Sequence, residues 1–310
     1  MKNKLFLIIS LGICTHITAL SQHTIIEPLK TYFEKWQKGK STVIEEEKLL
    51  QGNVAEVISE TERFIADTSA DKRYAAFRLI GYLGAKAEAP ALRKRAVKQL
   101  IFGSNDKDSG IAGNCFKMLT SFDVKDFDTE AIYLLGEMAK KPETHYETLV
   151  KICGWLGITD LNYDFRKAIS EKKGSIRDRW AMRLAMARMG DAEMIGYCLE
   201  RLKNIKVNDD VVYELVPDVV YTRQKALFDY LFSIIESDEK NCSSSNPDSD
   251  AKILCAYRVI EQIAPYIENF PAKTDVAGEL VSGDYKKTLL EVREWTKLNL
   301  DNYIVKKDVF

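Results

Sequence analysis

Arg73-Tyr74-Ala75-Ala76-Phe77-Arg78-Leu79-Ile80-Gly81-Tyr82-Leu83-Gly84 is the stretch on which the fold reading turns, because the chain repeats it. Slid by 106 residues it meets Arg179-Trp180-Ala181-Met182-Arg183-Leu184-Ala185-Met186-Ala187-Arg188-Met189-Gly190. Slid by 73 it meets Tyr146-Glu147-Thr148-Leu149-Val150-Lys151-Ile152-Cys153-Gly154-Trp155-Leu156-Gly157. Weaker copies end at Thr120 and Tyr221, so the aligned ends Gly84, Thr120, Gly157, Gly190 and Tyr221 stand 36, 37, 33 and 31 residues apart. That period, with apolar residues at helical spacing, predicts stacked helix pairs. A single pair cannot bury its apolar face, so neighbouring pairs share a core. Glycine just past the apolar run is read as the left-handed end of each first helix.

Outward from these copies, second helices are expected at Pro90 to Phe102, Phe127 to Lys140, Tyr163 to Lys172, Ala192 to Lys203 and Lys225 to Glu236. Helical stretches Glu27 to Lys38 and Val43 to Ala66 read as an N-terminal cap whose acids and lysines keep that end soluble. Asp250 to Glu268 and Lys286 to Asn302 read as closing helices, and Pro217 is expected to kink or break the helix around it. The division is therefore a leader over 1–21, capping helices over 22–70, repeats over 71–237, and C-terminal helices with a polar loop over 238–310.

The run ending Met189-Gly190-Asp191 and its copy ending at Gly84 resemble the first helix and turn of HEAT repeats, particularly the short bacterial HEAT-like type. The likeness spans roughly Asp71 to Ser237. It implies an all-α fold, a right-handed α-α superhelix of about five to six helix pairs with capping helices, in a family whose members mostly bind other macromolecules.

Lys2 and Lys4, the apolar run Leu5 to Cys14 and the small residues of Ala19-Leu20-Ser21 read as a signal peptide cut before Gln22. The run is too short to span a bilayer, which takes roughly 20 residues, and no later segment is apolar enough. Ile13 stands where a lipid-attachment signal at Cys14 needs a small residue. The chain is thus expected to be exported, periplasmic or secreted. Loss of the two lysines takes the formal charge from −1 to −3, which gives no general pull toward nucleic acid or anionic lipid.

Cleavage leaves Cys115, Cys153, Cys198, Cys242 and Cys255, an odd number. Cys242 and Cys255 flank the polar loop Ser243 to Ser249 and are placed to staple it in an oxidising compartment. The other three sit in apolar helical patterns and read as small buried hydrophobes.

Catalytic chemistry finds little footing. His23 and His145 are the histidines left, no His-Glu step of the kind used by metal-holding HEAT-like enzymes exists, and no Cys-x-x-Cys pair offers a zinc site. Neither a metal nor a cofactor is expected. Asp209 and Asp210 precede an apolar helical run, where acids favour a helix start. Glu45 to Glu47 read as acids that cap a helix or solvate a surface, and Asn246 to Asp250 lacks the ligand spacing of a calcium loop. Basic residues cluster at Arg93-Lys94-Arg95 with Lys98, and at Arg177, Arg179, Arg183 and Arg188. HEAT-like DNA glycosylases combine such residues with Trp and a carboxylate, types that Asp178, Arg179 and Trp180 supply. Trp180, however, aligns with Tyr74 at a core position, and export removes the chain from DNA. HEAT-like bilin lyases offer no residue-level match.

Tyr213, Tyr221, Phe228, Tyr230 and Phe232 crowd the fifth repeat, with Trp295 later. Tyr230 is out of phase with Phe228 and Phe232 and is the aromatic expected to face a partner. The reading is an exported, non-enzymatic scaffold for a protein or peptide. Two alternatives remain: an envelope hydrolase or carbohydrate-handling protein using carboxylates brought together across repeats, and a structural subunit that oligomerises through its ends.

Overall fold

A computed structural model of the chain describes residues 26–244, 248, 250–275 and 278–310. The expected leader, His23 and part of the polar loop lie outside the described residues. Helix makes up 66% of the structure and the strands are few, which places the chain in the all-α class. It divides into two compact units, one ending at Leu134 and the other beginning at Leu135.

The first unit holds α1 (residues 26–37), α2 (Val43–Gln51), α3 (Val54–Thr61), α4 (Ala70–Lys86), α5 (Pro90–Gly103) and α6 (Ser109–Leu119), and enters α7 (Thr129–Met138). Local chemistry sets these ends. Pro90 opens α5, where its missing N–H costs nothing, and Asp108 caps α6 by accepting from the Gly110 and Ile111 amides. α4 packs on α5 and α6; its Phe77, Leu79, Ile80 and Leu83 are all nearly or fully buried, Leu79 and Leu83 in one cluster with Tyr32, Leu49 and Ile58 of α1 to α3. Each such side chain stabilises the fold by about 1.5–3 kcal/mol.

Three expectations for this unit need correction. The stretch Val43 to Ala66 forms two helices rather than one, because the Asn53 side chain accepts from the Glu56 amide and starts α3 afresh. Glu45 and Glu46 stand in the first turn of α2, as the capping alternative has it, but they are buried and do not solvate the surface. They are paired, Glu45 with Lys35 at 2.7 Å and Glu46 with Arg78 at 3.2 Å, while Val43 and Ile44 face outward. Gly84 lies inside α4 and does not end it; a side chain there would strike the Ala96 Cβ of α5, so this glycine serves close helix contact.

The second unit runs from the end of α7 through α8 (Tyr146–Trp155), α9 (Asn162–Ser170), α10 (Ile176–Arg188), α11 (Ala192–Lys203), α12 (Val216–Tyr221), α13 (Lys225–Glu236), α14 (Ala256–Ile263) and α15 (Tyr285–Asn299). α10 is its centre, packed on α8, α9, α11 and α12. Gly190, just past α10, has the left-handed φ of 92° that the repeat pattern anticipates. Gly154 lets α8 and α10 touch, since a Cβ there would stand 2.7 Å from the Ala185 Cα. Ser175 and Asp178 form a reciprocal capping box at the start of α10.

Pro217 sits at the start of α12, directly after a π-helical turn over Val211–Leu215. The wide turn is the break expected there: proline has no N–H to give, and its ring crowds the carbonyl four residues back. The pattern over Asp250 to Glu268 yields only the shorter α14. Lys252–Ile253 pair antiparallel with Cys242–Ser243, and a disulfide joins Cys242 to Cys255 across a Cα separation of 5.1 Å. Among the described residues no helix is long and apolar enough to cross a membrane.

Candidate functional site

Basic clusters visible in the sequence part company in the structure. In the first unit three of the four cations have an acid. Arg93 holds Asp126 at 2.8 Å, Arg95 pairs with Glu62, and Lys98 with Asp128 and Glu130. Arg179, the repeat equivalent of Arg73, is absorbed structurally, its Nη1 donating to the Lys172 and Gly174 carbonyls. Arg73 does the same to Asp67 and Thr68. These arginines tie a helix start to the loop before it.

Arg177, Arg183 and Arg201 behave differently. Among the described residues none has a carboxylate within 4.0 Å, and all three line a cleft of about 570 Å³ in the second unit. Helix α10 supplies Ile176, Arg177, Trp180 and Arg183, and α11 supplies Tyr197 and Arg201. The facing wall carries Glu147 from α8, Asp210 and Glu214 at the π-helical turn, and Asp218 from α12. The π turn thus has a second consequence, since it sets Asp210 and Glu214 at the cleft wall.

Cations and rings alternate along the first wall. The Arg201 guanidinium lies 4.9 Å over the Trp180 ring, Arg183 lies 4.8 Å over Tyr197, and the two rings are 6.3 Å apart. Stacking uses the flat face of a guanidinium and leaves its N–H edges available for a carboxylate or phosphate. Trp180 is half-buried at the cleft and not in the core, which corrects the alignment-based expectation; its Nε1 donates to Asp218 at 2.7 Å. Tyr74, its counterpart in the first unit, is instead stacked on Trp36 at 5.3 Å.

Beneath the acidic wall Lys151 bonds Asp218 at 2.8 Å and Glu147 at 3.0 Å. Burial opposes its charge, but the two carboxylates outweigh that and raise its pKa above that of a free lysine. Asp218 is therefore fixed from two sides, by an ammonium and by an indole. Asp210 and Glu214 have no cationic partner among the described residues.

Tyr230 does not line this cleft. It is half-buried and donates its hydroxyl to the Leu202 carbonyl at 3.1 Å, tying α13 to α11. Of its neighbours, Phe228 and Phe232 are core and Tyr213 is exposed. His145 takes a left-handed conformation at the start of α8. Cys115, Cys153 and Cys198 are buried, and burial pushes their thiols up, Cys198 to about 12. Asp209 does not join Asp210 in the cleft; it accepts from the Ser243 amide and hydroxyl and anchors the disulfide loop. Among the described residues no group of three or more His, Cys, Asp or Glu could hold a metal ion.

No family model matches this chain, and no curated protein and no solved structure is significantly similar to it.

Proposed function

We propose that the chain is an exported, non-enzymatic binding protein of HEAT-like repeat construction, and that it takes a protein or peptide segment in the cleft between α10, α11 and the Asp210–Asp218 wall. One observation carries this reading. Three arginines and two carboxylates, Asp210 and Glu214, line the same cleft without an ion-pair partner among the described residues, while its other two carboxylates are held by Lys151. A ligand with complementary charges would neutralise them, and charge complementarity gives specificity and register more than bulk affinity. The cleft volume lies in the range of about 300–1,000 Å³ typical of ligand sites. The repeat part of the reading rests on the packing of successive first helices, α4 on α6 in one unit and α8 on α10 on α12 in the other.

The test is a random peptide library screened against the chain from Gln22 onward. Selected peptides should lose binding to the double variant Arg183→Glu, Arg201→Glu and bind less tightly as salt rises. Peptides that bind both chains equally would remove the cleft from the proposal.

A second reading, carbohydrate handling or hydrolysis in the envelope, draws on the four carboxylates and two aromatic rings of the same cleft. Glycan retention without peptide retention would favour it. Turnover abolished by Glu214→Gln or Asp218→Asn would end the non-enzymatic proposal.

A further inference from the structure

Lys307 to Phe310 lie across the ends of α8, α10 and α12, and side-chain donors hold each of their four carbonyls. Arg188 Nη2 donates to Lys307 at 3.0 Å and to Val309 at 2.7 Å. Trp155 Nε1 donates to Asp308 at 3.2 Å, and Arg223 Nη2 to Phe310 at 2.9 Å. The Phe310 ring meets Trp155 edge-on at 5.6 Å and packs on Tyr221 at 5.9 Å. Lys307, Asp308 and Val309 are exposed. The cradle therefore grips backbone oxygens and one aromatic ring, and the first three side chains of the segment are left out of the grip.

The cradle is expensive as plain structure. Arg223 is 2% exposed, adopts a φ of 54° that bulky residues avoid, and leaves its Nε buried without a partner. Burial makes both guanidiniums less basic, and Arg188 lowers Arg223 further. Neither meets an Asp or Glu side chain within 4.0 Å among the described residues, and Arg223 reaches instead the main-chain oxygen of Phe310, the last residue of the sequence. Apolar side chains of similar volume would close these helix ends at lower cost, and such strain with desolvated charge concentrates where ligands bind. Trp155, Arg188 and Tyr221 are the last residues of α8, α10 and α12, so three successive helix ends supply the cradle.

We propose that this cradle is a second peptide site, specific for an extended segment with an aromatic residue, and that Lys307–Phe310 fills it in cis as a displaceable plug. The proposal stands apart from the charged cleft and does not depend on it.

The probe is a fluorescently labelled peptide with the sequence of residues 307–310, titrated by anisotropy. A tethered plug competes at an effective concentration in the millimolar range, so the wild-type chain should bind the probe weakly. The full-length Phe310→Ala variant should bind it at least about tenfold more tightly, and adding Arg188→Gln should abolish that gain. If circular dichroism shows Phe310→Ala unfolded, Phe310→Leu replaces it. Equal affinity for wild type and a folded plug variant, no saturable binding to that variant, or binding that survives Arg188→Gln would each overturn the proposal.

Discussion

Replacing Asp106 by alanine tests how the repeats of the first unit are held. Arg73 bonds Asp106 through Nε at 2.7 Å and Nη2 at 2.8 Å, with only 5% and 7% of the two side chains exposed. Asp106→Ala leaves a buried guanidinium without its counter-charge, a loss that typically costs 3–5 kcal/mol. Nη1 keeps its two carbonyl acceptors, so the lower end, about 3 kcal/mol, is expected. For a unit of this size that lowers the melting midpoint by about 10 °C or more, read by calorimetry as an earlier first transition. The Arg73 guanidinium holds the Asp106 carboxyl below the usual carboxylate range, against the opposing pull of burial. A depressed carboxylate contributes its stability fully above the unfolded value of about 3.9 and loses it as pH falls through the folded value. The gap between wild type and Asp106→Ala should therefore be full at neutral pH and shrink in acid below that point. The double variant Arg73→Met, Asp106→Leu should recover most of the loss. A single variant within 1 kcal/mol of wild type, or a double variant no better than the single, would refute the argument.

Gly154→Ala drives a methyl into the backbone of α10 and should cost about 1–3 kcal/mol by overpacking, measured by urea denaturation; a neutral result would mean that α8 and α10 can move apart freely. Cys242→Ser with Cys255→Ser opens a loop spanning 13 residues and should cost about 3 kcal/mol. That difference should vanish when both chains are melted under reducing conditions. Arg201→Ala removes one cation stacked on Trp180 and should change stability by less than about 1 kcal/mol while weakening capture of selected peptides. A loss above about 2 kcal/mol would make Arg201 a residue of the fold instead.

The helical class was legible because the repeat carries it. Copies of one apolar pattern cannot be strands with a period of two, and α11 and α13 begin and end where the sequence places them. Ends were less legible where a side chain competes, as with Asn53 dividing the expected capping helix, or where a glycine has two possible uses, as with Gly84 and Gly190. The cleft was not legible as a unit. Arg177, Arg183 and Trp180 stood together in the sequence, but Tyr197, Arg201 and Glu214 lie on other elements, and periodicity carries no information about which loop faces which. Pro217 was the one available signal. It fixed a break in the helix, and the π turn that answers it carries Asp210 and Glu214.

What separates scaffold from site in this molecule is whether charge is satisfied. Arg73, Arg93 and Arg95 each meet a carboxylate 33 residues away in the chain, on a neighbouring turn or helix of the first unit, so these pairs tie its elements together. Arg188 stands in a similar relation to Tyr221, but its partner there is a carbonyl, and the charge is left without a counter-ion. Arg177, Arg183 and Arg201 are left unpaired on the wall of the cleft. A fold that sets an acid against a cation at these three positions makes the omission at the others informative. Leaving a guanidinium without a counter-charge costs stability where it is buried, as at Arg223, and little where it is exposed, as at Arg177 and Arg201. On the proposal made above the unpaired arginines would meet the ligand, and the paired ones belong to the frame that holds them apart.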